Sequence, residues 1–412
     1  MTRGRTLVMA FLVAAYTLNF IDRQIVGILA EPIKLDLELS DAELGWMGGT
    51  AFALFYTALA IPLAMLADRR DRSWIITIGL GLWSLATAAC GIAQNFWQLF
   101  AARMSVGIGE AAGVAPAYSL ISDLYPREQR ARALAIFSLG IPLGGALGVW
   151  FGGLVAASVD WRFAFVAIGL IGILFAPIFK IAVRDPGHCY DRAAPPPVLT
   201  VFRTIAARPS FWLLGFGAGI ASLVGYGLAF WVPSYLARSF GLALADRSLI
   251  FGAIFLVGGA AGIWLGGLFG DRYGAKGPGG YALVPAAAFA VTLPFYLLAF
   301  STHSLLAAAL LLLIPTALGL TWLGPVVTAV TRLVPPEMRA TAAALFLFIN
   351  NLIGLGAGST VIGAISDALA GRYGDESLRY SAMTVSGLYV LAALLMAFAA
   401  ARLSRDTHDL SL

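Results

Sequence analysis

Charge is scarce in this chain: Asp, Glu, Lys and Arg together make up 12% of its 412 residues, about half the share of soluble domains. A water-soluble fold of that length cannot cover its surface with so few charges, which excludes an ordinary cytosolic enzyme. Cysteine is nearly absent too. Cys90 sits in an apolar run and Cys189 in a polar stretch, so neither a disulfide framework nor metal-ligand spacing exists. The three histidines, His188, His303 and His408, lie near ends or loops rather than grouped in one segment, which argues against a buried catalytic base or metal cluster. His188 and Cys189 are adjacent but lack further ligands, and are read as unremarkable. No phosphate-cradling loop of the Walker type occurs, and Gly107-x-Gly109 lacks the strand–helix context of a nucleotide fingerprint. The energy for any work must then come from a gradient or from the substrate itself. Lysine contributes only three of the 27 basic residues, a usage that points to a GC-rich bacterial genome.

What is present is apolar. Hydrophobic residues make up 60% of the chain, and 46 glycines suit closely packed membrane helices. Apolar runs fall near 6–30, 42–67, 74–94, 97–121, 131–157, 161–183, 209–237, 248–270, 279–300, 304–331, 340–366 and 379–401, which predicts an all-α membrane protein with twelve transmembrane helices. The first run follows Arg3 and Arg5 as a signal peptide would, yet no small-residue cleavage site follows, so it is read as the first span. The longest polar interruption, RDPGHCYDRAAPPP from Arg184, reads as a semi-rigid linker. It gives a six-helix half over 1–183, a cytoplasmic linker over 184–207 and a second half over 208–412. Alternate loops divide the Lys and Arg residues into 19 on the side of the amino terminus and six on the other, which predicts both ends in the cytoplasm. The net charge of +5 is therefore assigned to membrane topology rather than to nucleic-acid binding, because the basic residues are dispersed.

The halves repeat. ADRRDR (Ala67–Arg72) matches GDRYGAK (Gly270–Lys276), with Asp68 and Asp271 203 residues apart; Glu128 and Glu337, like Arg130 and Arg339, are 209 apart. Two matches at nearly one offset argue for duplicated, pseudo-symmetric halves. Gly267-x-x-x-Asp271-Arg272-x-Gly274 resembles the loop motif of the major facilitator superfamily, and Gly140-Ile141-Pro142-Leu143-Gly144-Gly145 resembles its bending motif; the first loop copy departs from it at Ala64 and Asp71. A narrower resemblance, to the spinster-like transporters, is carried by Asn19-Phe20-Ile21-Asp22-Arg23 and by Arg103-Met104-Ser105-Val106-Gly107-Ile108-Gly109-Glu110-Ala111; Phe230-Trp231-Val232-Pro233 and Leu323-Gly324-Pro325 fit the same group. The resemblance implies the major facilitator fold and proton-coupled movement of lysophospholipids or sphingosine phosphates, with protons as coupling ion and no cofactor.

The residues themselves reach a compatible site. A charge at the bilayer centre costs on the order of 3 kcal/mol, so Asp22, Arg23, Arg103 and Glu110 must face partners or a watery cavity. Asn19, Asp22 and Arg23 share one helical stripe, as do Arg103, Gly107 and Glu110. Two readings are open, a working site and an ion-pair cluster that only fixes helix packing. On the first, Asp22 and Glu110 carry the proton, Asn19, Arg23 and Arg103 hold an anionic head group, and Tyr226, Trp231, Trp322, Asn350 and Asn351 complete the binding site from the second half. Those aromatics read equally as packing or interface anchors, and the asparagines as interhelical hydrogen-bonding groups. Asp68, Arg69, Arg130, Asp271, Arg272 and Arg339 are expected to form a reversible cytoplasmic latch, or else to be topology signals. Glu31, before Pro32, is read as solvated. The expectation is a monomeric secondary transporter of the bacterial inner membrane that works by alternating access on an amphipathic anionic lipid, with a small organic anion as the alternative cargo. Its partners are substrate and bilayer.

Overall fold

The computed structural model describes residues 2–67, 69–185 and 197–408. They form α1 (Thr2–Ile28), α2 (Ala30–Leu37), α3 (Asp41–Gly45), α4 (Ala51–Ala67), α5 (Arg72–Gly91), α6 (Phe96–Glu110), α7 (Val114–Leu124), α8 (Arg127–Ser138), α9 (Gly140–Ser158), α10 (Trp161–Ala182), α11 (Val198–Ala206), α12 (Pro209–Phe240), α13 (Leu244–Gly274), α14 (Gly280–Ser301), α15 (Leu305–Leu318), α16 (Leu323–Thr331), α17 (Arg339–Tyr373), α18 (Ser377–Ser386) and α19 (Leu388–His408). No strand occurs among the described residues. Ten helical stretches of these residues are long and apolar enough to cross a bilayer, the longest being Thr341–Thr407. Apolar side chains such as Leu174, Trp264 and Leu306 stay exposed, the pattern of helices solvated by lipid rather than water.

Several apolar runs are not single helices. The run at 97–121 is α6 and α7 with a turn at Ala111–Gly113 directly after Glu110, and the run at 304–331 is α15 and α16 with a turn at Gly319–Trp322. Glu110 and Gly319 are 209 residues apart, the offset already carried by Glu128 and Glu337. Hydropathy misses such breaks because Ala111, Ala112 and Gly113, like Gly319 and Leu320, continue the apolar run across the turn. The polar stretch at 184–207 also holds more order than a linker: Val198–Ala206 is the helix α11, which buries Val201 and Ile205.

The helices pack as two units. The first comprises Met1–Asp191 and Ala229–Leu256, the second Arg192–Leu228 and Val257–Leu412. Within the first, α1 lies along α9, α5 along α10, and α6 between α4 and α5. Glycines set these approaches. A Cβ on Gly109 would stand 2.6 Å from the Trp83 nitrogen of α5, and one on Gly79 would meet the Gly109 carbonyl at 2.8 Å, so α5 and α6 touch backbone to backbone beside Glu110. Within the second, α14 packs on α15 and α19, and Gly227 of α12 meets the Gly358 backbone of α17.

The first loop motif keeps its turn without the motif glycine. Asp71 caps α5, accepting from the Trp74 N–H at 3.0 Å and from Ser73 Oγ at 2.8 Å. Partial burial pushes its carboxyl up, yet the Ser73 and Trp74 hydrogen bonds and the Lys180 ammonium outweigh that and hold it below the usual carboxylate range.

A buried four-charge cluster as candidate site

Position on the helix decides what meets what. Asn19, Asp22 and Arg23 lie on one face of α1, and Arg103 and Glu110 on one face of α6, whose last residue is Glu110. The structure brings all five together in the first unit. Arg23 Nε donates to Glu110 Oε2 at 2.8 Å, with the Glu110 side chain fully buried and that of Arg23 11% exposed. Arg103 Nη1 points to the Asp22 carbonyl at 3.4 Å, and its charge lies close enough to act on both Asp22 and Glu110. Thr87 of α5 faces the Asp22 carboxylate, and Asn19 faces that of Glu110. Two carboxylates and two guanidiniums thus share one buried volume with no net charge when all are ionised.

Aromatic rings wall this volume. The Arg23 guanidinium stands 5.0 Å from the Phe20 ring centroid, 4.9 Å from Phe52 and 4.6 Å from Tyr56, while that of Arg103 stands 5.5 Å from Phe52. Ring faces stabilise a cation, and these three stand around Arg23 while it is bonded to Glu110. The α4 residues Phe52 and Tyr56 carried no sequence signal, since aromatics are abundant in membrane spans. Gly107 is the reason α4 can come so near: a Cβ there would strike the Phe52 carbonyl.

The remaining candidates are dispersed. Trp231 is buried against Phe230, with ring centroids 5.0 Å apart, and Trp322 packs edge-on to Phe346 at 6.0 Å. Ser222 Oγ donates to Asn350 Oδ1 at 2.9 Å, joining α12 to α17, while Tyr226 and Asn351 are half-buried. Asp68, His188 and Cys189 lie outside the described residues. Arg69, Asp271, Arg272 and Arg339 are exposed and make no ion pair among the described residues; Arg130 Nε donates to the Tyr125 carbonyl at 3.1 Å.

Three further clusters went unforeseen, although Arg339 in the last of them was itself read as a latch residue. Arg72, fully buried, donates to Asp185 from its backbone N–H at 2.7 Å and from Nη2 at 2.6 Å, to Ser119 Oγ at 3.0 Å, and to Asp123. Arg238 is the second. Its Nε donates to Glu31 Oε1 at 2.8 Å and its two terminal nitrogens to Asp41 at 2.7 Å, while Lys34 Nζ meets Asp41 at 2.6 Å. Asp41 is fixed there by the capping box of α3, in which the Glu43 N–H donates to Ser40 Oγ at 3.1 Å and the Ser40 N–H to Glu43 at 2.9 Å. Glu31 is consequently an ion-pair partner rather than a solvated side chain, a correction that follows from α12 delivering Arg238 to the start of α2. The third lies in the second unit, where Arg332, Arg339, Thr328, Thr331 and Thr407 line a cavity of about 470 Å³. Arg332 stands 209 residues after Asp123, so the acid that holds Arg72 in the first repeat is a base in the second.

Comparison with known proteins bears on what this arrangement does. Residues 12–359 match the sequence pattern of the Major Facilitator Superfamily. The chain belongs to the Major Facilitator Superfamily. It is 33% identical over 395 residues to an MFS-type efflux pump of Mycolicibacterium smegmatis, covering 95% of this chain and 91% of that one. It is also 33% identical to protein spinster homolog 1 of Xenopus tropicalis, over 85% of this chain and 71% of that one. A solved bacterial homologue of the human lysosomal transporter Spinster, inward-facing and unoccupied, superposes with a TM-score of 0.89 at 31% identity, over 98% of this chain and 99% of that one. The occupied inward-facing form gives 0.84 at the same identity. The protein is therefore a bacterial spinster-like homologue, an integral multi-pass membrane protein and a secondary-active transporter of the alternating-access type, not an enzyme.

Proposed function

We propose that this transporter couples proton movement to the transport of an amphipathic anion, with Glu110 and Asp22 as proton-exchanging groups and Arg23 and Arg103 as head-group ligands. The observation that carries the reading is the buried Arg23–Glu110 pair with Asp22 and Arg103 beside it. A neutral set of four charges cannot accept an anion in a low-dielectric site unless a positive charge is freed. A proton on Glu110 frees Arg23, which the rings of Phe20, Phe52 and Tyr56 then hold until an anion takes it. Departure of the anion returns Arg23 to Glu110 and expels the proton. That sequence ties each head group to a proton.

The same reading assigns twelve spans in two six-helix halves, 1–183 and 208–412 about a linker at 184–207, counting α6 and α7 as one span and α17 to α19 as two. Both termini lie in the cytoplasm beneath a bacterial inner membrane, and Asp68, Arg69, Arg130, Asp271, Arg272 and Arg339 form the cytoplasmic latch. The spinster-like motifs of α1 and α6, by the resemblance they carry, imply a lysophospholipid or sphingosine phosphate. A small organic anion is the second reading, favoured by one observation: Trp231 and Trp322 are packed among neighbouring side chains instead of lining open space. The deciding experiment is pH-driven uptake of a labelled lysophospholipid into proteoliposomes. Glu110→Gln and Asp22→Asn are expected to abolish the dependence on the proton gradient, and full dependence in both would remove the assignment.

A further inference from the structure

The cavity of about 470 Å³ in the second unit is built at helix ends: Pro278 precedes α14, Thr328 and Thr331 close α16 with Arg332 as its cap, Arg339 starts α17, and Thr407 ends α19. None of these lining residues is acidic. Both arginines are exposed and make no ion pair among the described residues. The described acids closest in sequence lie outside the wall: Asp406 accepts from the Ser210 N–H at 3.0 Å, and Glu337 is exposed. At the repeat offset of 209, Arg72, Ser119, Asp123 and Arg130 of the first half become Tyr281, Thr328, Arg332 and Arg339. In the first half the cation comes from the start of α5 and is held by Asp123 and Asp185. In the second it comes from α16, and the start of α14 offers a ring, with Arg332 standing 4.9 Å from the Tyr281 centroid. The last span supplies Thr407 rather than an acid, α19 packing on α14 as α10 packs on α5. One cation between two anions has become two cations around an open space.

We propose that this cavity binds a ligand bearing two phosphate groups on a short link, the chemistry of a cardiolipin headgroup or of a soluble bisphosphate. Each guanidinium fork takes one phosphate through paired charge-assisted hydrogen bonds. The volume lies within the roughly 300–1,000 Å³ of pockets that hold drug-sized ligands, so a single phosphate fills a small part of it, whereas a linked pair offers one to each arginine. The Tyr281 ring face steadies Arg332. Thr328, Thr331 and Thr407 hydroxyls donate at 2.9, 2.9 and 2.7 Å to carbonyls of their own helices. These bonds are additional to the helix ladder, which leaves the hydroxyls able to turn to a phosphate oxygen. The wall residues lie at the ends of the apolar stretches Gly280–Ser301, Leu305–Thr331 and Thr341–Thr407, the depth at which headgroups sit and at which basic pockets take cardiolipin. By bridging Arg332 and Arg339, the ligand ties the end of α16 to the start of α17.

The site lies in the second unit and shares no residue with the four-charge cluster, so its test is independent of proton coupling at Glu110. Arg332 is the deciding residue, because Arg339 also belongs to the proposed latch. Binding of glycerol 1,3-bisphosphate to the full-length protein in detergent is measured by calorimetry, with glycerophosphate as the single-phosphate control. The bisphosphate is expected to bind at least about tenfold more tightly, and Arg332→Gln and Arg339→Gln each to weaken it about tenfold or more. Arg332→Lys, which keeps the charge and loses the fork, is expected to fall between and serves if a Gln variant does not fold. Arg402→Gln removes an exposed cation of α19 outside the cavity wall and is expected to leave binding unchanged. The source of the phosphates is read by amide exchange in phosphatidylethanolamine nanodiscs with and without cardiolipin. Slower exchange from Leu333 to the first turn of α17 with cardiolipin, absent in Arg332→Gln, assigns the lipid, whereas calorimetric binding without that protection assigns a soluble bisphosphate. Equal affinity for glycerophosphate, an equal loss in Arg402→Gln, or no response to either probe overturns the site.

Discussion

Arg23 and Glu110 stand 87 residues apart in sequence, and the structure joins them by a 2.8 Å hydrogen bond from Nε to Oε2 in a region closed to solvent. Each is the other's direct ionic partner. Removing one member of such a pair leaves a buried charge uncompensated, which costs about 3–5 kcal/mol, whereas removing both costs much less. Arg23→Gln is therefore expected to lower the thermal unfolding midpoint strongly, and Arg23→Gln combined with Glu110→Gln to recover much of the loss. A double mutant whose midpoint equals the sum of the single effects would show that the two side chains do not act as a pair.

Arg72 makes the opposite prediction about function. It is fixed by Asp123, Asp185 and Ser119 within one unit, an arrangement suited to bracing α5 rather than to cycling. Arg72→Ala is expected to destabilise by about 3–5 kcal/mol, since it orphans two largely buried carboxylates. Arg69→Ala, at an exposed position, is expected to change stability by less than about 0.5 kcal/mol. Thermal unfolding of both variants in detergent checks the contrast, and equal shifts would remove the bracing role.

The contrast between Arg69 and Arg72 also shows what the sequence could and could not convey. Asp22, Arg23, Arg103 and Glu110 were legible because ionised groups inside apolar runs have few physical options, and their spacing placed them on two stripes. Arg72 and Arg238 were not. Charges at helix ends are what topology alone requires, so nothing in the pattern distinguishes a buried triad from a solvated end. Repeat matching pointed to Asp68 and Asp271 and passed over Arg72, because its partner Asp123 becomes Arg332 in the second copy. The break after Glu110 was hidden by Ala111, Ala112 and Gly113, which keep the run apolar while the helix stops.

Arg238 tests whether the Ala229–Leu256 segment is held to the first unit by charge. Its guanidinium satisfies Glu31 and both oxygens of Asp41. Arg238→Gln is expected to raise amide hydrogen exchange through α2 and α3 and at the end of α12, with Arg238→Lys intermediate because an ammonium cannot make the bidentate contact. Exchange unchanged in Arg238→Gln would show that apolar packing alone holds the segment.

Asp71 gives a prediction in pH. Its carboxyl is held below the usual range by Ser73, Trp74 and Lys180 against the opposing effect of partial burial, so the folded state binds its proton less readily than the unfolded chain does. Its contribution is therefore present above the unfolded value of about 3.9 and is lost as pH falls through the lower folded value. Asp71→Ala is expected to cost about 1 kcal/mol of helix capping at neutral pH and to converge on wild type in acid. Unfolding midpoints measured from pH 7 downward check this, and a constant difference between the two proteins would assign the loss to packing instead.

The last prediction concerns cargo. Charge is unevenly divided: α1 and α6 carry Asp22, Arg23, Arg103 and Glu110, all but Arg23 fully buried, whereas Tyr226, Trp231, Trp322, Asn350 and Asn351 are uncharged. An anionic head group gains charge-assisted hydrogen bonds only at the arginines, while an acyl chain requires no more than an apolar wall. A lysophospholipid uses both, and its chain supplies about 0.8 kcal/mol for each methylene buried. It is therefore expected to raise the unfolding midpoint of the purified protein more than glycerophosphate does, with the shift growing with chain length. Arg23→Gln is expected to remove the response to both ligands, whereas Trp231→Ala is expected to weaken only the response to the lipid. Equal shifts from lysophospholipid and glycerophosphate would instead favour a small organic anion, because only the charged end would then be recognised.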